Sequence, residues 1–182
     1  MLCFRPLLLS LIAITFVAGA ALAASDPKGW REARWGMTGE DLAQTFKSTL
    51  EPTRGTLEYN NYVVKQRIVR VDIGGRPFVV LFQLDKQSEK LKQVLLQFRG
   101  SRPMHTDYVE VGKALTAEFG PPAKARGQGD YSGSFPSYAT EMRWCFPTTE
   151  IFLRYIDPNA EAGSGVRKDL VIRYTERSGR CT

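Results

Sequence analysis

Apolar side chains recur at every second position along Phe78, Val80, Phe82 and Leu84, and again along Val94, Leu96 and Phe98. A period of two puts these residues on one face of a strand and their neighbours on the other. The same alternation returns in Thr140/Met142/Trp144, Ile151/Leu153/Tyr155 and Leu170/Ile172/Tyr174. Earlier, Val69, Val71 and Ile73 share one face and Ile68, Arg70 and Asp72 the other. Gly74-Gly75 reads as a two-residue hairpin turn, and "DKQSEK" turns the chain again. A chain built this way must find something to cover one side of a sheet.

Two helical signals supply the cover. Thr38 is a good N-cap with Asp41 three residues on, and Leu42, Phe46 and Leu50 then recur every four residues. Trp30 and Trp35 lie in the lead-in and are expected to cover one end of the core. In the second signal Asp107 with Glu110, or His105 or Thr106 one turn earlier, offers a cap. Tyr108, Val111, Leu115 and Phe119 follow as a stripe, and Gly120-Pro121-Pro122 stops the helix. "LAQTF" and "LTAEF" repeat an L-x-x-x-F frame 73 residues apart. The expected fold is α+β: tandem helix-then-three-strand units, 24–100 and 101–182, forming a two-layer antiparallel sheet with both helices on one face.

The first residues carry one positive charge, Arg5, then an apolar run and small residues up to Ala21-Leu22-Ala23. This pattern predicts a secretory signal over residues 1–23, cut before Ala24. The rival is a retained membrane anchor, since residues 7–23 come close to a spanning length. After cleavage no stable span is expected, and the chain is periplasmic or secreted. Removing 23 of 182 residues leaves 159, enough for one domain. Its Lys and Arg fall to 24 against 19 Asp and Glu. That spread-out excess suits an ordinary soluble surface, with attraction to an acidic envelope polymer or protein partner as the alternative, and argues against nucleic acid, which needs a denser basic stripe. Cys145 and Cys181 survive processing and are expected to form a disulfide.

Catalytic signatures are sparse. The lone histidine, His105, beside a helix start, suits capping or exposure better than catalysis. The glycines at 127, 129 and 133 lack the G-K-[ST] of a phosphate loop, and a strand follows them. Asp157, Asn159 and Glu161 begin like a calcium loop, but Ala162 and Lys168 stand where glycine and glutamate are needed. No catalytic set, metal site or cofactor is therefore expected. Paired carboxylates remain open, because spacing does not reveal which acids meet.

"WGMTGEDL" and "FGPPAK" resemble the helix entry and exit of the SmpA/OmlA outer-membrane assembly family. The doubled helix-and-strands plan resembles the β-lactamase inhibitor protein fold. The W-x-x-x-x-W-G-M-T opening is similar to uncharacterised exported proteins of Gram-negative bacteria. The entry and exit marks lie on different helices here, and no lipid-anchor cysteine follows the signal. These resemblances imply an accessory or protein-binding role rather than an enzyme.

One constellation points to a binding face. If the three apolar sets of the last strands face the helices, then Arg143, Arg154 and Arg173 share the open face, with Phe152 among them. Arg70, Gln83, Gln93 and Gln97 would join them from the first unit. Arginine and aromatic side chains are common anchors of interfaces. The alternative is a solvated face with arginines paired to Glu141 or Glu176. The expectation is a non-enzymatic binding or envelope accessory domain. A carboxylate-dependent hydrolase of cell-wall glycans and a small-ligand carrier are the alternatives.

Overall fold

A computed structural model describes residues 25–127, 139–158, 167–177 and 179. Two short strands, β1 (Gly29–Trp30) and β2 (Ala33–Arg34), lead into α1 (Gly39–Thr45). Four strands follow: β3 (Leu50–Tyr59), β4 (Tyr62–Ile73), β5 (Arg76–Asp85) and β6 (Leu91–Phe98). Then come α2 (His105–Phe119), β7 (Lys124–Arg126), β8 (Ala139–Cys145), β9 (Thr149–Ile156) and β10 (Asp169–Glu176). Strands β3 to β10 make one eight-stranded open sheet in the order β3-β4-β5-β6-β10-β9-β8-β7, and every pairing is antiparallel. The fold is α+β. Among the described residues no helix is long and apolar enough to cross a membrane. Residues 1–23, residues 128–138, Asn159, Glu161 and Cys181 lie outside the described set, and with them the expected signal, glycine loop, calcium-like run and cysteine pairing.

The expectation of three strands after each helix is corrected: four follow each. The additions, β3 and β7, are the two edges of the sheet. β3 carries Pro52 and Gly55 and is exposed along most of its length, so it shows no apolar alternation. Proline and irregular, charged sequence are how an edge avoids pairing with another chain. β7 is only three residues long. A second correction concerns β4. Its pairing with β5 shifts register between Val63 and Arg67 and again between Ile68 and Val71. Each shift inserts an extra residue, so Ile68 and Val71, expected on opposite faces, both join the core.

The core lies between the helices and one sheet face. Leu42 of α1 and Val111 and Leu115 of α2 are buried in one cluster with Val80, Phe82, Leu96, Trp144, Leu153 and Ile172. Thr38 caps α1, and its side chain and backbone exchange hydrogen bonds with Asp41. In α2 the cap is Met104 rather than Asp107, His105 or Thr106. Asp107 sits at the third helical position, where its carboxylate accepts the Met104 N–H at 2.8 Å and the Arg76 guanidinium at 2.5 Å. Trp30 packs against Phe46 and Phe82 with ring centroids 6.3 and 6.1 Å away, the role expected of it. Trp35 is partly buried, and its indole N–H donates to Thr149 Oγ1 at 3.0 Å.

Two glycines let the layers approach. A Cβ on Gly112 would stand 3.0 Å from Met142 Sδ, so α2 lies directly on β8. Gly74, at φ +60°, turns β4 into β5, and a Cβ there would meet the Glu110 carbonyl oxygen at 2.8 Å. Glycine satisfies both the left-handed backbone and the contact with α2.

Candidate functional site

Strands β8, β9 and β10 pair without register shifts, so alternation carries across them intact. Phe152 stands directly opposite Arg173 on one neighbour and Arg143 on the other. Arg154 is two residues along the strand of Phe152 and points the same way. The register therefore dictates three guanidinium groups around one phenyl ring. Their central carbons lie 4.9 Å (Arg143), 4.9 Å (Arg173) and 5.9 Å (Arg154) from its centroid, all within cation–π range.

Among the described residues no helix covers this face, yet it is partly buried. Val64, Leu81, Phe152 and Val171 are at most 7 % exposed but do not belong to the main core cluster. The hairpin joining β3 to β4 reaches this face at its tip. Its Tyr59, Asn60 and Tyr62 line the same cavity, about 380 Å³, as Phe152, Arg154, Asp169 and Arg173. Burial raises the Tyr59 phenol above its ordinary value. Gln83, Gln93 and Gln97 line the floor. Gln93 donates its amide to Gln83 and accepts the Thr175 hydroxyl at 3.4 Å.

The cations are unevenly compensated. Arg143 pairs with Glu150 at 3.4 Å and with the buried Glu141 at 3.8 Å. Arg154 and Arg173 have no ion pair among the described residues, and the Arg154 Nε is buried without a hydrogen-bond partner. Desolvation lowers the Arg173 guanidinium from its ordinary value, and the charge of Arg154 pushes it further down; Glu150 opposes that shift.

Of the residues singled out by sequence, Arg143, Arg154, Arg173 and Phe152 come together, and Gln83, Gln93 and Gln97 join them. Arg70 does not. It is exposed in β4, with β5, β6 and β10 between it and Phe152. Arg67, across from Leu81, shares the helix-free side of the sheet but does not line the cavity, and it lies 4.0 Å from Glu51. Arg143 pairs with Glu141 as one alternative foresaw, whereas Glu176 bonds to Lys92. His105 is exposed on the helix side, 5.7 Å from the Tyr108 ring and 6.0 Å from Tyr155. Sequence reasoning missed Glu150, Asp169, Tyr59 and Tyr62. Glu150 was legible two positions before Phe152, but the tyrosines reach the site only from the hairpin tip. Among the described residues no three His, Cys, Asp or Glu side chains converge as metal ligands.

No family model, curated protein or solved structure matches the chain.

Proposed function

We propose that this is an exported, non-enzymatic binding domain that captures an acidic segment of a partner protein on its open sheet face. The observation that carries the reading is the unbalanced pair Arg154 and Arg173, held over Phe152 and opening into the cavity beneath the hairpin. Exposed cations are normally left to water. A desolvated Arg173 beside Arg154, neither with an ion pair among the described residues, suits a surface completed by an incoming anion. The carboxylates Glu141 and Glu150 both pair with Arg143, which favours holding that side chain over acid–base work on a glycan.

The resemblance to exported accessory and inhibitor proteins belongs to the same proposal, as does export through residues 1–23. So does an origin by duplication. It is supported by the strand order, in which each helix precedes a four-strand meander and the last strands of the two meanders, β6 and β10, pair at the centre.

The test places a photo-crosslinking residue at Asn60, on the rim of the cavity, in the native envelope. A crosslinked protein carrying an acidic segment is expected, and R154E/R173E should abolish it while the far-ultraviolet spectrum is unchanged. Capture that survives charge reversal rejects this face.

A further inference from the structure

We infer that the cavity beneath the β3–β4 hairpin tip is a subsite for a single carboxylate next to an amide, the chemistry of an Asp or Glu side chain in an extended peptide. The inference rests on the reading of the open face as a protein-binding surface and assigns its decisive contact.

The size of the cavity sets the first limit. At about 380 Å³ it is near the small end of the range for ligand pockets, room for one or two residues rather than a folded surface. Its charge sets the second. Arg154 and Arg173 are diagonal neighbours on adjacent strands, and Phe152 covers one side of both guanidinium groups. Their remaining N–H edges are the donors open to the cavity. Arg154 Nε and the Glu141 Oε1 of its register partner are both buried without a hydrogen-bond partner, so an incoming carboxylate would be met by the terminal guanidinium nitrogens. Arg143 is already engaged by Glu141 and Glu150, so it adds little further demand for negative charge.

Asp169 on the same wall then decides between anions. Among the side chains that line the cavity, two guanidinium groups stand against one carboxylate, with Glu141 and Glu150 on Arg143 beyond them. A single added carboxylate evens the count of lining charges. A phosphate monoester, at about −1.5 to −2 near neutral pH, would overshoot that balance and crowd Asp169. The glutamine floor sets the last requirement. Gln83 is 1 % exposed and already bonded to Gln93, so its amide is held in place. Gln97 lies one strand over from Val171. Primary amides offer both donor and acceptor, the complement of a peptide unit.

The test is an NMR titration of the purified protein with N-acetylglutamate amide, its neutral isostere N-acetylglutamine amide, and inorganic phosphate. Saturable shifts at Gln83, Gln97 and Phe152 are expected with the glutamate probe, at least tenfold weaker with the isostere and with phosphate. R154Q and R173Q should each weaken the glutamate probe tenfold. Q97L serves as a second variant at the cavity wall if either arginine change disturbs the fold, and it should weaken the probe about threefold. No saturable binding, equal binding of the isostere, or tighter binding of phosphate overturns the inference. Failure of the probe while R154E/R173E still abolishes protein crosslinking removes the subsite and leaves the binding face standing. Probe binding with no acidic protein ever captured removes the partner reading and leaves a carrier of small carboxylates.

Discussion

Replacing Phe152 by leucine tests whether the ring, and not merely its volume, holds the arginines. Leucine keeps most of the apolar bulk, so the packing loss should stay near 1 kcal/mol. The lost quadrupole costs more. Arg143 and Arg173 sit 4.9 Å from the centroid, and their partial burial puts each contact at about 1 kcal/mol. Arg154, at 5.9 Å, is close to the range limit and contributes about 0.5 kcal/mol. F152L should therefore cost about 3.5 kcal/mol in total.

The discriminating measurement is a double-mutant cycle with R173M, which keeps the alkyl stem and removes the charge. Arg173 is the right partner because it has no ion pair among the described residues, whereas R143M would strand the buried Glu141. Urea midpoints for wild type, F152L, R173M and the double variant should show F152L about 1 kcal/mol less costly once Arg173 is gone. With a slope of about 2 kcal/mol per molar, that is a difference of about 0.5 M in midpoint shift. Coupling below about 0.3 kcal/mol would mean the ring and the guanidinium merely adjoin. The same cycle with R154M should give roughly half the coupling, in keeping with its longer distance.

Two further outcomes follow from the packing and the titrating groups. G112V should cost about 1–3 kcal/mol by forcing branched methyls against Met142, G112A should stay within about 1 kcal/mol of wild type because helix propensity offsets a tight contact, and M142A should partly rescue G112V; thermal unfolding reads all three. The Tyr155 phenol donates to Asp157 at 3.0 Å, and burial first, then Asp157, pushes its pKa from 10.0 up to about 12. The folded state thus keeps a proton that the unfolded chain releases, so this contribution is complete below pH 10.0 and disappears as pH rises toward about 12. Y155F should lose less stability than wild type across that window, and parallel loss would refute the assignment.

Alternation told the truth where the sheet is regular and misled where it is not. In β8, β9 and β10 the register never slips, so Arg143, Phe152, Arg154 and Arg173 could be placed on one face from spacing alone. In β4 two bulges reset the count, which put Ile68 in the core and left Arg67, not Arg70, across from Leu81. A bulge leaves little trace in the residues themselves. β3 was invisible for the opposite reason: an edge strand protected by proline, glycine and charge has no buried face to generate a pattern. Missing it also hid the site's roof, because Tyr59 and Tyr62 flank the turn between β3 and β4. The Met104 cap of α2 was illegible too, since the favourable contact comes from Asp107 three residues later and not from the capping side chain.

The overall charge of +6 says little about where positive potential gathers. Pairing order concentrates it. One cross-sheet row runs Arg67, Leu81, Leu95, Arg173, Phe152, Arg143, Lys124. The adjoining row adds Arg154 and Arg126 across from Glu141. The hairpin residues Tyr59, Asn60 and Tyr62 line the cavity over the middle of the rows, and partial burial there strengthens every interaction, repulsion included. Desolvation lowers the Arg173 guanidinium first, the charges of Arg154 and Arg143 add to that, and Glu150 and Glu141 oppose it. Neutralising Arg173 should therefore cost little beyond its contact with the ring, because relief from Arg154 and Arg143 offsets part of it. A small loss of stability in R173M, with loss of capture in the crosslinking assay, is the outcome expected if Arg173 serves the proposed binding role.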